Sequence, residues 1–190
     1  MTQNIKKEEI NDTLKKIAID GTSTRYQLRK LIEEKQVHKR KTLEKIDLVK
    51  YTHEIQTQLV SKLKDETSNS EKKDDLLLIK EIKNKLANYK QQDSLKKIFS
   101  EKEFVSLDFV ILLLDSSKLQ CHYCSQNIYI LYEIVREQMQ WTLDRINNDQ
   151  GHNIGNVLIS CLQCNLKRRR TSKDAFMFTK NVRIIKNDSI

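Results

Sequence analysis

The segment WTLDRINNDQGHNIGNVLISCLQCNLKRRR (141–170) carries most of the chemistry in this sequence. Residues 141–146 alternate apolar and polar side chains, and 157–161 is a second short β-prone run, so the pattern predicts two strands. The glycine-bearing loop 147–156 joins them, and LQCNLKRRR (162–170) predicts a helix after the second strand. We therefore expect a strand, a loop, a strand and a helix, in that order.

Four cysteines, the full complement of the sequence, form two Cys-x2-Cys pairs, one ahead of this segment and one inside it. Each pair can present two thiolates to one ion, and two pairs complete the tetrahedral coordination of a structural zinc. An iron–sulfur cluster, a redox-active pair and unconnected core cysteines are the alternatives. Because four thiolates leave no open position for substrate, we expect Zn²⁺ to brace the fold and not to catalyse. The predicted ligands are Cys121, Cys124, Cys161 and Cys164, and His122 is expected at the surface or behind them.

The composition indicates the partner and the location of the protein. Its 190 residues carry a net formal charge of +9, from 35 lysines and arginines against 26 acidic residues. This balance favours nucleic acid, although a charged helical surface with excess lysine is the plain alternative. No secretory signal begins the sequence, and its most apolar run, FVILLL (109–114), is too short to cross a bilayer. We expect an intracellular protein, in the cytoplasm or nucleus, with no membrane partner.

The fold class expected is α+β, with a mainly helical first half and a small zinc-stabilised second half. Apolar residues recur at helical spacing in the first half, where the helices could pack together, pair two chains in a homodimer, bind a helical partner or lie along DNA. Ser106 is placed to cap a buried helix, LDFVILLLD, and FMFTKNVRIIK (176–186) predicts a short strand or a packed arm. The predicted regions are charged helices over 1–64, a polar linker over 65–75, a helical connector over 76–104, a compact domain over 105–172 and a tail over 173–190.

Two side chains of the predicted hairpin and helix could hold a second metal ion. Asp144 ends the first strand and Asn165 lies in the first turn of the helix, so the two could face each other. Carboxylate and amide oxygens are hard ligands that suit Mg²⁺ or Mn²⁺. Such an ion could stabilise charge on a scissile phosphate, and a nearby histidine could deprotonate the attacking water near neutral pH.

The same segment resembles the HNH, or ββα-metal, endonucleases, especially zinc-braced members from phages, large DNA viruses and mobile elements. That family carries a motif of the form D-[H/R]-I, then G-[Y/H]-xxx-N-V, then C-xx-C-N-xx-[K/R]. Here LDRINNDQGHNIGNVLISCLQCNLKRR, preceded by CHYC, follows it, and the similarity covers 119–171. The resemblance implies a DNA endonuclease with Asp144 and Asn165 as ligands of one catalytic divalent ion. It also implies that Asn156 braces the loop and helps to orient the base.

One position departs from the family pattern. The usual base is a histidine directly after the aspartate, whereas this chain has Arg145 there. Arginine stays protonated and cannot ordinarily serve as a base, although it can clamp a phosphate. His152 could supply the missing imidazole from across the hairpin, or the metal-bound water could act without one. The alternatives are a catalytically degenerate zinc module that binds nucleic acid, and a coiled-coil scaffold with an incidental zinc site.

A run of four cations follows Asn165 along the predicted helix. Cations in this position suit the phosphate backbone of double-stranded DNA, and each neutralised phosphate steepens the salt dependence of binding. Favourable placement near a helix C-terminus and a localisation signal are the other interpretations. The predicted nucleic-acid contacts are Arg145, Lys167, Arg168, Arg169 and Arg170.

Overall fold

The computed structural model describes residues 38–65 and 72–182. The chain divides into two compact units, 1–37 and 38–190. The helices predicted over the first 37 residues, and with them the surface proposed to pair two chains, lie outside the described residues.

The described residues form a mixed helical and stranded structure, so the predicted α+β class is confirmed. Three helices precede a hairpin of two antiparallel strands, and two short helices follow it. The elements are α1 (His53–Asp65), α2 (Lys73–Leu95), α3 (Leu107–Ser116), β1 (Trp141–Arg145), β2 (Val157–Cys161), α4 (Leu162–Arg168) and α5 (Lys173–Asn181).

The helix predicted within 38–64 begins only at His53. The residues before it form two short 3-10 turns, Lys41–Leu43 and Leu48–Lys50. Tertiary contacts explain the difference, because the backbone N–H of Arg40 donates to the carbonyl of Glu133 at 2.8 Å. Backbone N–H and C=O groups that bond to a distant part of the chain are not available for the hydrogen bonds of a helix. Of the linker predicted over 65–75, residues 66–71 lie outside the described residues, and residues 73–75 belong to α2.

One apolar core joins the helices to the hairpin. α1 packs on α2 and α3, α3 contacts β2, and α4 packs on both strands. Val60, Leu78 and Leu114 are fully buried on the three long helices, and Trp141 is fully buried on β1. Burying a side chain of this size stabilises the folded state by about 1.5–3 kcal/mol. The hairpin therefore shares its core with the helices that precede it.

The stretch 117–140, which has no regular helix or strand, is held by the side chain of Gln56. Gln56 is fully buried on α1, and its Oε1 accepts from the backbone N–H groups of Ile130 and Leu131, each at 2.9 Å. Its Nε2 donates to the carbonyls of Tyr51 at 2.8 Å and Leu131 at 3.2 Å. An amide that satisfies backbone groups on both sides avoids the cost of burying them unpaired.

Serines cap the starts of two helices in the same way. Ser106 accepts from the N–H of Phe109 at 3.1 Å and opens α3 as predicted, and Ser172 accepts from Ala175 at 3.3 Å and opens α5. Of the two predictions for 176–186, the strand is wrong as far as residue 181, because α5 is helical, while the burial of Phe176 against Tyr123 agrees with a packed arm. Among the residues described, none of the helices has the length and apolarity needed to cross a membrane.

Candidate metal centre and catalytic site

The four cysteines meet at one place in the structure. Their sulfur atoms all lie within 4.8 Å of one another, and those of Cys124 and Cys161 are 3.9 Å apart. Tetrahedral coordination with metal–sulfur bonds of about 2.3 Å would place sulfurs about 3.8 Å apart. The cluster therefore fits a metal ion held by four thiolates, as the spacing of the cysteines predicted.

Two turns bring the sulfurs together. In the first, the N–H of Ser125 donates to the carbonyl of Cys121 at 2.9 Å, and Ser125 adopts a positive φ of 55°. In the second, Cys161 ends β2 and caps α4, and its sulfur accepts from the N–H of Cys164 at 3.3 Å. His122 is exposed and lies outside the sulfur cluster.

The thiols affect one another's protonation because they are crowded and partly buried. A hydrogen bond from Cys161 lowers the pKa of Cys121 to about 4, so one thiolate is stabilised by its neighbours. Burial raises the pKa of Cys164 to about 11. A divalent ion would supply the positive charge that favours deprotonation of all four sulfurs.

The hairpin presents two faces to two different helices. β1 and β2 pair antiparallel, with Trp141 opposite Cys161 and Asp144 opposite Leu158. Alternate side chains of β1 point to opposite faces. On one side, which we call the α4 face, Asp144 contacts Arg168. On the other, the α2 face, the side chain of Arg145 lies near Asp93, at the end of α2.

On the α4 face, Asp144 is buried in a dense set of contacts. Its Oδ2 accepts from the Tyr123 hydroxyl at 2.7 Å and from Arg168 Nε at 2.6 Å, while its Oδ1 accepts from a terminal nitrogen of Arg168 at 2.8 Å. The ion pair is bidentate, and bidentate hydrogen bonding is the strongest common geometry for a guanidinium and a carboxylate. Burial, together with the bond to Asp144, raises the pKa of Tyr123, so its hydroxyl stays a donor.

Arg168 is therefore turned inward, unlike its neighbours in the basic run. Its side chain has no exposed area, and it also donates to the carbonyl of Thr171 at 2.6 Å. Lys167, Arg169 and Arg170 are exposed. Three cations of this run are therefore available to a partner in solution, whereas four were predicted.

Asn165 lies on the same α4 face as Asp144. Its Nδ2 donates to the hydroxyl of Thr142 at 3.1 Å, which directs the amide toward β1. Its Oδ1 has no hydrogen-bond partner within the described part of the chain, and this atom is accessible to solvent. Asn165 thus keeps one oxygen open beside the strand that carries Asp144.

The loop 147–156 is fixed by Asn156. The buried side chain accepts from the N–H of Asn147 at 2.9 Å and donates to the carbonyls of Asn147 at 3.0 Å and Gly151 at 2.9 Å. These bonds tie both ends of the loop to its middle. This is the bracing geometry that the resemblance implies for Asn156.

On the α2 face, His152 is buried against two residues of α2. Its Nδ1 lies 2.9 Å from Asp93 Oδ1, and its backbone N–H donates to Asp93 Oδ2 at 2.6 Å. The Tyr89 ring packs on the imidazole with the ring centres 4.3 Å apart. His152 Nε2 has no hydrogen-bond partner among the described residues, and this atom is accessible to solvent. Burial lowers the pKa of His152, against the opposing effect of Asp93.

Arg145 belongs to the same group of side chains. Its guanidinium lies 3.9 Å from Asp93 Oδ1 and donates to the carbonyl of Gln150 at 3.1 Å. The residue that stands where the family usually has its base is therefore directed toward the acidic partner of His152. Both side chains share Asp93, which has no exposed area.

Asp93 and Tyr89 are not apparent from the sequence. They lie four residues apart on α2, a spacing that puts them on one helix face, but 59 residues separate Asp93 from His152. Gly151 gives a structural reason for the close approach, because a Cβ there would lie 2.7 Å from the carbonyl oxygen of Ile98 and 2.9 Å from Asp93 Oδ2. The glycine allows the loop to touch the end of α2.

No protein-family model, curated protein or solved structure matches this chain. Its function has to be inferred from its own residues and their geometry.

Proposed function

We propose that this chain is an HNH-type endonuclease that hydrolyses DNA phosphodiester bonds with one divalent ion, Mg²⁺ or Mn²⁺, and that its cysteines hold a separate structural zinc. The observation that carries the proposal is the presence of Asp144, Asn165 and His152 within one hairpin and the helix that follows it, with the first two on the α4 face and His152 on the α2 face. The first two share the α4 face through β1. The third is linked to the same strand by Tyr89, which packs on His152 and accepts from the N–H of Leu143 at 3.0 Å.

The metal ligands in this proposal are Asp144 and the open Oδ1 of Asn165. A divalent ion bound to them would stabilise negative charge on the phosphate and on its leaving oxygen. Arg168 and Tyr123 hold the Asp144 carboxylate in place, so its position is set before any ion arrives. Ligand geometry that is fixed in advance costs less to organise on binding.

The proposed base is His152. It is buried beside a carboxylate, and its lowered pKa keeps it neutral near pH 7, the form that can accept a proton. Arg145, which lies beside it and donates to the carbonyl of Gln150, would hold a phosphate in this proposal. Of the basic run, Lys167, Arg169 and Arg170 would contact the backbone of double-stranded DNA.

The zinc in this proposal ties together the elements that carry the site. Cys161 and Cys164 flank the start of α4, which carries Asn165, while Cys121 and Cys124 follow α3. Because the four sulfurs would close the coordination sphere, the zinc has a structural role. The N-terminal helical region would add DNA affinity or pair two chains.

Cleavage of supercoiled plasmid tests the proposal. Purified wild-type protein with confirmed zinc content is incubated with plasmid and Mg²⁺ or Mn²⁺, beside Asp144→Asn and the exposed control Asp108→Asn. We expect metal-dependent conversion to nicked or linear DNA by the wild type and the control, and at least a 100-fold slower reaction by Asp144→Asn. DNA that remains supercoiled with folded wild-type protein in both metals would contradict the proposal.

A second candidate is a zinc-containing module that binds nucleic acid without cleaving it. The observation that favours it is the state of Asp144, both of whose oxygens are already paired with Arg168 or Tyr123. A carboxylate engaged in this way can serve the stability of the fold alone. Salt-sensitive DNA binding without cleavage in the plasmid assay would support this candidate.

A further inference from the structure

We propose that Asp93, at the end of α2, is a positioning residue of the nuclease site that fixes His152 with its proton on Nδ1 and its lone pair on Nε2. The inference rests on the proposed function and deepens it, since it names the residue that prepares the base. It also makes the helical region that precedes the hairpin part of the catalytic site.

Asp93 holds His152 at two separate points. Asp93 Oδ2 accepts the backbone N–H of His152 at 2.6 Å, and the ring Nδ1 lies 2.9 Å from Oδ1 and 3.0 Å from Oδ2. The Tyr89 ring covers one side of the imidazole. Two contacts and a stacked ring fix both the loop backbone and the plane of the side chain.

The chemistry of a carboxylate decides which ring nitrogen carries the proton. An ionised carboxylate only accepts hydrogen bonds, and a neutral imidazole has one N–H and one lone pair. Nδ1 faces Asp93 and must therefore be the donor. Nε2, which has no partner among the described residues and is not shut away from solvent, is left with the lone pair.

The charges around His152 keep it neutral until it acts. Asp93 on α2 favours the protonated ring, whereas burial, Arg145 on β1 and Lys96 beyond α2 oppose it, and the opposing effects prevail. Tyr89, whose ring packs on the imidazole, has its pKa raised by burial and stays neutral. When Nε2 takes up a proton, Asp93 stabilises the charge that appears on the ring.

The reaction step is balanced as follows. Nε2 takes a proton from a water molecule while the water oxygen forms a bond to phosphorus and the phosphorus–oxygen ester bond breaks. The leaving oxygen takes a proton from solvent, and the imidazolium later returns its own proton to solvent. Asp93 keeps its negative charge throughout and exchanges no proton.

The test begins with the tautomer of His152 in the wild-type protein. The chain has four histidines, and the ¹⁵N signals of His152 in labelled full-length protein are assigned by their loss in His152→Gln. We expect a protonated Nδ1 and an unprotonated Nε2 near pH 7. A proton found on Nε2 would overturn the inference without any reference to activity.

Asp93→Asn is expected to reverse the tautomer. The backbone N–H of His152 needs an acceptor, so the amide oxygen of the variant turns toward it and the amide NH₂ faces Nδ1. Because the NH₂ group stands at the nearer oxygen position, 2.9 Å from Nδ1, we expect the ring to carry its proton on Nε2, as happens when an asparagine replaces the aspartate of a serine-protease triad. We expect cleavage to slow by about 100-fold or more, with DNA affinity unchanged.

Two further variants separate positioning from folding. Asp93→Glu keeps the carboxylate and should keep the wild-type tautomer and part of the activity, while the exposed control Asp108→Asn should change neither. Wild-type cleavage by Asp93→Asn would refute the inference and leave the proposed nuclease standing. A wild-type protein that never cleaves, whatever the tautomer, would instead remove the proposed function.

Discussion

The two faces of the hairpin use their acidic residues in opposite ways. On the α4 face, both oxygens of Asp144 already accept hydrogen bonds from Arg168 or Tyr123. On the α2 face, Asp93 holds one nitrogen of His152 and leaves the other open. The contacts of Asp144 are those of an ion pair that stabilises the fold. The contact of Asp93 orients a histidine whose second ring nitrogen can still accept a proton. The comparison suggests that stability and reactivity are divided between the two faces.

The cysteine cluster should be the most sensitive point, since it supports both faces. Structural zinc in small domains supplies about 10–16 kcal/mol of binding free energy that is also folding free energy. We expect a strong chelator, or Cys164→Ser, to abolish the cooperative thermal transition of the 38–190 unit, followed by circular dichroism. Ser125→Ala is the matched control in the first turn and should keep bound zinc. A transition that survives with no metal bound would show that the cluster is not a folding element.

Arg168→Ala should produce the next largest loss, confined to the α4 face. It leaves the buried Asp144 without its charged partner, and breaking a buried pair from one side costs about 3–5 kcal/mol. Urea denaturation measures the change in the free energy of unfolding. Lys167→Ala, one residue away and exposed, should change it by less than about 0.5 kcal/mol. Equal effects of the two substitutions would remove the distinction drawn between Arg168 and the rest of the basic run.

Sequence analysis found the α4 face and missed the partners on the α2 face, for a physical reason. The cysteine spacing correctly predicted one cluster of four sulfurs. Asp144 and Asn165 are only 21 positions apart, so the local strand and helix patterns suffice to bring both to the α4 face. Asp93 meets His152 only because the apolar core packs α2 against the hairpin. The inward turn of Arg168 was equally hidden, because four consecutive cations carry no mark of which one is buried. The strand predicted for the tail was wrong because its alternating pattern competes with a helix capped by Ser172.

The pH dependence of stability should report on the α2 face. The pKa of His152 is lowered in the folded protein, so the unfolded chain binds more protons as the pH falls below the ordinary histidine value of about 6.5. Stability contributed by the neutral ring is present above that pH and is lost as the pH falls through it. Denaturant midpoints from pH 7.5 to 5 should fall more for the wild type than for His152→Gln. Parallel curves would mean that the pKa of His152 is not lowered by folding.

The exposed cations should give the smallest effect, on DNA binding and not on stability. Each phosphate contact adds about 0.9 to the slope of log affinity against log salt. We expect Arg169→Gln with Arg170→Gln to reduce that slope by about 2, measured by fluorescence anisotropy on duplex DNA. Lys45→Gln, an exposed control that precedes α1, should leave the slope unchanged. An unchanged slope in the double variant would exclude the run from the DNA interface.

The most direct test of the central claim is the rate of metal-dependent plasmid cleavage by the wild type and by His152→Gln, measured under single-turnover conditions near pH 7.5. Glutamine can still donate to Asp93 but has no basic nitrogen. The account predicts that the wild type cuts and that the variant, folded and with its metal intact, cuts about 100-fold or more slowly. Equal rates would contradict the assignment of His152 as the base, and no cutting by either protein would contradict the nuclease itself.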